Sequence, residues 1–264
     1  WTKYPNNNSP CRQADMKESN QERGVLYIAA GGRFIRGAIR SAASVRKHSP
    51  DLPIHLFANW RDWGYDFEHD PAPFTSVGEI ESPHYRSKVD YSVHTPFDRT
   101  LYLDTDTRVL EDITPVFDLL DRFDLALAHA ANRVTRLQTW RTTLPRSFPQ
   151  FNAGVFLYKK TPALMSLLDE WVSSFHAAGF RSDQITLREL LWLSDLRIAT
   201  LPPEYNVRFQ KYLWLWGRRE AHPVILHFPR FVRGPFWFLQ PWKRMFMLRF
   251  GWFDHERYDP PVPK

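Results

Sequence analysis

The sequence predicts a single α/β domain built on a mainly parallel central sheet flanked by helices, with a basic, aromatic segment at its C-terminal end. Three observations carry this. Val25-Leu26-Tyr27-Ile28-Ala29-Ala30 is a continuous apolar run of strand length closed by Gly31-Gly32, and such a run suits a strand buried on both faces. Phe34, Ala38, Ala42 and Val45 then recur at helical spacing. A second apolar run at residues 53–58 completes a β-α-β opening, the unit from which parallel sheets are made.

The alternation continues along the chain. Residues 87–93 predict a short helix, 100–103 a strand that ends in acids, and 115–120 a helical stretch. Residues 125–128 and 151–158 read as strands, 164–175 and 182–193 as helices, and 198–201 and 224–228 as the last strands. Residues 1–23 are polar, with Asn6-Asn7-Asn8 and no apolar period, and read as a tail or stem. Order is expected to begin at Gly24. The domain then runs over residues 24–238, and 239–264 form an appendage.

Composition narrows the function. At 43% hydrophobic and 24% charged, the 264 residues hold enough apolar material for a packed core. No apolar run approaches the roughly 18–20 residues of a membrane-spanning helix. Cys11 is the only cysteine, which excludes an internal disulfide and a thiolate zinc cluster. The basic excess is confined to one end: residues 206–264 carry 11 Lys and Arg against 4 Asp and Glu, with 15 aromatics. A surface of that kind suits an anionic partner such as nucleotide phosphates or acidic lipid. No RNA-binding signature accompanies it, so nucleic acid is not expected. The chain opens on Trp1 rather than Met, which leaves room for an upstream signal or anchor. The compartment is thus open: cytoplasmic and peripheral to a membrane, or Golgi lumen if an anchor precedes Trp1.

In open α/β sheets, ligands bind beyond the carboxyl ends of the strands. Leu101-Tyr102-Leu103-Asp104-Thr105-Asp106 puts two carboxylates at such an end. Side by side they repel, and a divalent cation bound to substrate phosphates resolves the repulsion. Two enzyme classes use such a pair. The D-x-D-x-T phosphatases of the haloacid-dehalogenase class match Asp104 to Thr107 literally, but their nucleophile strand opens the fold and further paired acids follow it; neither holds here.

The other class fits more of the chain. Lys88 precedes Asp104 by sixteen residues, Asp104-Thr105-Asp106 is followed by Val109-Leu110, and Phe151-Asn152-Ala153-Gly154 opens a later strand. Ser182-Asp183-Gln184 begins a helix, Leu201-Pro202 and Tyr205-Asn206 form a loop, and Val224-Ile225-Leu226-His227-Phe228 is a strand holding a histidine. In this order, over residues 24–237, the motifs resemble those of the glycogenin-like, retaining nucleotide-sugar glycosyltransferases, which have the GT-A fold. The resemblance implies transfer of a hexose or pentose from a nucleotide diphosphate, with UDP the expected carrier, to a glycan, protein or lipid-linked acceptor.

It also implies roles. Asp104, Asp106 and His227 would hold Mn2+ or Mg2+, an oxygen and nitrogen set that suits manganese. Asp183, Gln184 and Asn152 would act at the sugar, with Gly154 admitting a close approach by another backbone or the sugar. Ala29, Ala30 and Phe34 would receive the base, Phe34 by stacking, and Lys88 and Thr105 would line the diphosphate side. The family's H-x-x-G-x-x-K-P-W becomes here a longer stretch in which Arg233 takes the lysine place and Arg230 replaces the glycine. Arginine can grip phosphate through two nitrogens. Each position also has a plainer reading: Asp183 as a helix cap, Phe34 as helix core, His227 as a packed histidine, Lys88, Arg230 and Arg233 as surface cations. Trp242, Phe246 and Phe250, spaced by four among Lys243, Arg244 and Arg249, read either as a packed helix stripe or as an interfacial segment lying on anionic lipid.

Overall fold

The computed structural model describes residues 21–130, 137–208 and 222–233. Residues 1–20, most of the expected stem 1–23, and residues 234–264, which include the expected appendage 239–264, lie outside them. Strand β1 (Gln21–Ala29) leads through helix α1 (Gly32–His48) to β2 (Ile54–Ala58). Strand β3 (Ser76–Glu79), helix α2 (Ser87–Tyr91), β4 (Phe97–Leu103) and β5 (Thr107–Val109) follow. After a 3-10 stretch at Thr114–Asp121 come β6 (Leu125–His129) and β7 (Phe151–Lys159). Helices α3 (Pro162–Ala178) and α4 (Gln184–Leu193), then β8 (Ile198–Thr200), β9 (Ile225–His227) and a helical turn at Arg230–Arg233 are the last elements of the described residues.

Seven strands form one sheet in the order β3-β2-β1-β4-β7-β6-β8. β1 pairs in parallel with β2 and β4, β2 with β3, and β6 with β8; β7 runs antiparallel to both its neighbours. Strand alternation explains why β1 reads as an unbroken apolar run. Val25, Tyr27 and Ala29 face one core with Ile35, Ala38, Ala42 and Val45 of α1, while Leu26 and Ile28 face a second core with Leu164, Leu168 and Trp171 of α3. β1 starts at Gln21, three residues before the expected Gly24, because Gln21 and Arg23 pair with Phe97 and Arg99 of β4.

Two features correct the sequence reading. The strand carrying His227 does not join the main sheet; β9 pairs antiparallel with β5 in a separate two-stranded sheet, with Thr107 opposite His227. β7, expected as one more strand of the alternation, is reversed. Its register sets Leu103 against Val155, so the carboxyl end of β4 meets the amino end of β7, and the Asp104 amide donates to the Gly154 carbonyl at 2.8 Å. Together these devices gather Asp104, Asp106, Asn152, Gly154 and His227 at one edge.

Candidate metal and donor site

Asp104 and Asp106 sit where the chain leaves β4 and turns into β5. The turn is closed by Thr107, whose amide and hydroxyl both donate to the Asp104 carbonyl. The Phe228 amide donates to the Asp106 carbonyl at 2.9 Å, tying the end of β9 to the acidic loop. His227 Nε2 thereby lies 3.0 Å from Asp106 Oδ1 and 3.5 Å from Asp104 Oδ2. One ligand atom from each of the three residues falls within 4.8 Å of the others.

The histidine is held by an amide relay. His227 Nδ1 donates to Asn206 Oδ1 at 2.8 Å, and Asn206 Nδ2 donates to Asn152 Oδ1 at 3.1 Å. Asn152 Oδ1 also accepts the Gly154 amide at 3.0 Å. This assigns the proton to Nδ1 and leaves the Nε2 lone pair facing the carboxylates, the orientation a metal-binding imidazole needs. Nε2 is buried and makes no hydrogen bond. Gly154 makes room for this: a Cβ there would stand 2.2 Å from His227 Cε1 and 2.5 Å from Asp104 Oδ2. The close approach expected at Gly154 is therefore made by the side chains of the cluster itself. An unsatisfied buried nitrogen, two carboxylates and a cradle that excludes even a methyl group fit a divalent cation.

On the other side of Asp104 stands Lys88, from α2. Its Nζ lies 3.2 Å from Asp104 Oδ1, 3.1 Å from Asp183 Oδ2 and 3.3 Å from the Ala153 carbonyl. Lys88 is buried rather than the exposed cation that a lone lysine suggests. Burial alone lowers its pKa, but the two carboxylates outweigh that and raise it, so one ammonium bridges two acids. For Asp104 the balance runs the same way: burial raises it, while Lys88, His227 and the Tyr102 hydroxyl, donating at 2.7 Å, hold it well below the usual carboxylate range. Asp106 is lowered too, with burial opposed mainly by His227. In the metal-free protein, His227 is raised: burial lowers it and the carboxylates more than compensate.

Asp183 precedes α4 but does not cap it with its side chain. Its backbone carbonyl is pinned by the Trp171 indole N–H at 3.0 Å, and its carboxylate is fully buried between Lys88 and Arg86, the latter at 3.4 Å. Each carboxylate oxygen thus faces one of the two cations, Oδ2 the Lys88 ammonium and Oδ1 the Arg86 guanidinium. Gln184, the first residue of α4, accepts from Gln150 Nε2 at 2.9 Å. Thr105 is buried, its carbonyl and Cβ packed on Gly37 of α1.

At the carboxyl end of β1, Ala29 is core and Ala30 half-buried. Phe34 is half-buried and leans on the core, with the Arg33 guanidinium 4.6 Å over its ring. Trp63, which is largely exposed, lies across Gly32 beside it. Arg230 and Arg233 belong to the helical turn after β9; their side chains lie outside the description. Sequence reasoning gave no role to Asn206, Tyr102, Arg86 or Arg208. Arg208 donates to the His227 carbonyl at 3.2 Å and stands 3.6 Å from Asp106. Asn206 was within reach, as the last letter of the Tyr205-Asn206 loop; Tyr102 carried the two-residue strand spacing to Asp104.

No family model and no curated protein matches the chain. Solved structures do. The chain is similar to the galactosyltransferase LgtC, solved with donor and acceptor sugar analogues, at 18% identity and a TM-score of 0.59 over 91% of this chain and 98% of that one. The fold is that of the GT-A glycosyltransferases. Mouse xyloside xylosyltransferase 1 aligns at 14% identity and TM-score 0.51 over 78% of this chain and 97% of that one. The glycosyltransferase GlyE of Streptococcus pneumoniae aligns at 20% and 0.51 over 78% of this chain and 55% of its own. Nothing in the sheet favours the phosphatase reading, since β4 is preceded by three strands and lies at the sheet's centre.

Proposed function

We propose that this chain is a divalent-metal-dependent glycosyltransferase that moves a hexosyl or pentosyl group from a nucleotide diphosphate, UDP by preference, to a hydroxyl of a glycan acceptor, with retention at the anomeric carbon. The observation that carries the reading is the convergence of Asp104, Asp106 and His227 at a sheet edge, with His227 Nε2 aimed at both carboxylates. The GT-A neighbours support it, LgtC having been solved with both donor and acceptor sugar analogues.

Asp104, Asp106 and His227 would hold Mn2+ or Mg2+, which neutralises the charge growing on the departing diphosphate. The chain's own residues do the rest. Asn206 and Asn152 fix the imidazole so that no reorganisation is needed when a cation arrives. Lys88 favours the ionised form of Asp104 and bridges it to Asp183. Asp183, held between Lys88 and Arg86, would present its carboxylate to sugar hydroxyls, and Gln184 adds an amide beside it. Among the described residues no side chain is placed as an obvious nucleophile, which agrees with a front-face departure in which the leaving phosphate takes the acceptor's proton and the protein supplies positioning. Phe34 would carry the uracil, exchanging its contact with Arg33 for the base.

A panel of nucleotide sugars, assayed for Mn2+-dependent donor hydrolysis, tests this. The expected result is hydrolysis of one UDP-sugar, abolished by chelator, with calorimetric binding of UDP tighter than of GDP and weakened in Phe34→Ala. Nucleotide binding indifferent to chelation would overturn the metal reading, and preference for GDP the uridine reading. For the acceptor, the basic aromatic residues 241–250 suggest presentation at an anionic membrane, cytoplasmic or Golgi. Salt-sensitive flotation with anionic vesicles, lost on reversing Lys243, Arg244 and Arg249 to Glu, supports that, and failure to float at low salt rejects it.

A further inference from the structure

A second group of metal-ligating side chains lies outside the acidic loop. His84 comes from the segment before α2, Asp90 from α2 and His176 from the last turn of α3. His84 Nε2 is hydrogen-bonded to Asp90 Oδ2, and His176 Nε2 to Asp90 Oδ1 at 2.6 Å. The two imidazole rings are 5.5 Å apart. One ligand atom from each residue lies within 4.8 Å of the others.

We propose that His84, Asp90 and His176 form a second metal site, for a borderline transition ion of the Zn2+ class, that clips α2 to α3. Two imidazole nitrogens and one carboxylate oxygen are the donors Zn2+ takes, whereas Mg2+ and Ca2+ prefer oxygen alone. All three residues are partly solvent-exposed, His176 about half, so an ion can enter and water can complete the tetrahedron. In the metal-free form Asp90 accepts from both rings, and the Arg86 amide donates to His84 Nδ1 at 3.2 Å. Coordination takes the Nε2 lone pair and moves the ring proton to Nδ1. His84 then exchanges a weak contact two residues away for a metal bond, and no net proton is released from a neutral ring.

The location gives the clip a consequence. α2 is five residues long, too short to hold itself, and is placed by what anchors it. Arg86 and Lys88 lie between His84 and Asp90, and both reach Asp183. Arg86 Nε also donates to the Arg181 carbonyl at 3.2 Å, just ahead of Asp183. Fixing both ends of residues 84–90 therefore fixes the two cations that hold the Asp183 carboxylate. The binding claim stands apart from the glycosyltransferase reading; only this consequence rests on it.

Titration of the full chain with Co2+, followed by its visible ligand-field absorption and by competition with Zn2+, tests the proposal. The wild type is expected to show two sites, one with the intense spectrum of a four-coordinate nitrogen and oxygen set. His176→Ala and Asp90→Asn should each weaken that site roughly tenfold or more, since even indirect ligand partners are worth 10–100-fold, while Asp106→Asn leaves it intact and removes the other. Zn2+ should raise the melting temperature of the wild type and of Asp106→Asn but not of His176→Ala. His176 is half-exposed, so its variant folds, and circular dichroism checks this. Co2+ binding wholly abolished in Asp106→Asn, or affinities unchanged within twofold in His176→Ala, overturns the proposal and reduces the cluster to a hydrogen-bond network; a single wild-type site lost in His176→Ala and kept in Asp106→Asn supports it and counts against the acidic-loop site instead.

Discussion

Among the described residues, two clusters of imidazole and carboxylate could hold a metal, and they are supported in opposite ways. In the Asp104–Asp106–His227 group, strand register sets the positions and the histidine is turned by Asn206, so that Nε2 faces the acids with no hydrogen bond of its own. In the His84–Asp90–His176 group, helices and a loop carry the ligands and both Nε2 atoms already bond Asp90. The same chemistry is therefore preorganised at one place and self-satisfied at the other. A buried site pays its desolvation when the protein folds; an exposed one exchanges hydrogen bonds when the ion arrives.

That difference predicts how each cluster breaks. The largest effect belongs to the buried ligands. Asp106→Asn and His227→Gln should each lower Mn2+-dependent donor hydrolysis by on the order of 10²–10³-fold, the range seen when one preorganised electrostatic group is lost. Melting temperatures should shift little for Asp106→Asn, which keeps shape and sits at a strand end. Activity within twofold of wild type in either variant would remove that residue from the metal set.

Next is Gly154→Ala, which changes no ligand. The new Cβ must displace His227 Cε1 or Asp104 Oδ2, both inside contact distance. Overpacking of this kind costs roughly 1–3 kcal/mol, and here it also spreads the ligands. Weaker Mn2+ binding with a lowered melting temperature is expected, whereas Gly64→Ala, at a positive φ far from any atom that a Cβ would meet, should lose stability alone. Wild-type Mn2+ affinity in Gly154→Ala would show that the cluster tolerates the crowding.

A smaller loss is expected from Asn206→Ala, which frees the imidazole to rotate while leaving every ligand present. Metal affinity should fall about 10–100-fold. The comparable change at the other cluster, removal of the Ser87 hydroxyl that bonds the His84 backbone, acts only through the placing of Arg86 and Lys88 and should leave Mn2+ affinity closer to wild type than Asn206→Ala does.

How much of this was legible in the sequence follows from what each residue's signal is. β1, β2 and β4 declare themselves by apolar runs, and α1, α3 and α4 by helical spacing, because their burial is written in their own residues. β3 has no apolar run, being a four-residue strand at the sheet's edge with no residue fully buried. β5 is three residues long and contains Arg108, which is fully buried; nothing local marks Thr-Arg-Val as a strand. Asp104 and Asp106 announce themselves by position after a strand, and His227 by company with them. Lys88 was singled out by spacing alone, yet its burial between two acids depends on α2 packing against α3 and β1. Asn206, Arg86 and Arg208 act through partners 21 residues or more away in the chain, or on another element, and pairwise relations of that kind are invisible until the chain folds.

A fourth imidazole sharpens the comparison and has the least effect on function. His55, on β2, is buried, and its Nε2 makes no hydrogen bond, as at His227. Its surroundings are the Phe57 ring at 4.4 Å, the Ser76 hydroxyl on Nδ1 at 2.7 Å and Gly78, with no carboxylate among them. Burial, unopposed, pulls its pKa from 6.5 down to about 4. An unsatisfied nitrogen without acids is thus a stability liability in acid rather than a metal ligand. Above pH 6.5 the ring is neutral in both folded and unfolded chains and contributes no pH dependence. Between 6.5 and 4 the unfolded chain takes up a proton that the folded one refuses, so stability falls, by up to about 3 kcal/mol for a shift of that size. Below pH 4 both forms are protonated and the loss stops growing. Chemical denaturation of His55→Gln should flatten the decline between pH 6.5 and 4 and leave Mn2+-dependent hydrolysis at neutral pH unchanged. An equally steep decline in the variant would place the acid sensitivity elsewhere, and a loss of Mn2+ dependence would mean that a lone buried imidazole can serve the metal after all.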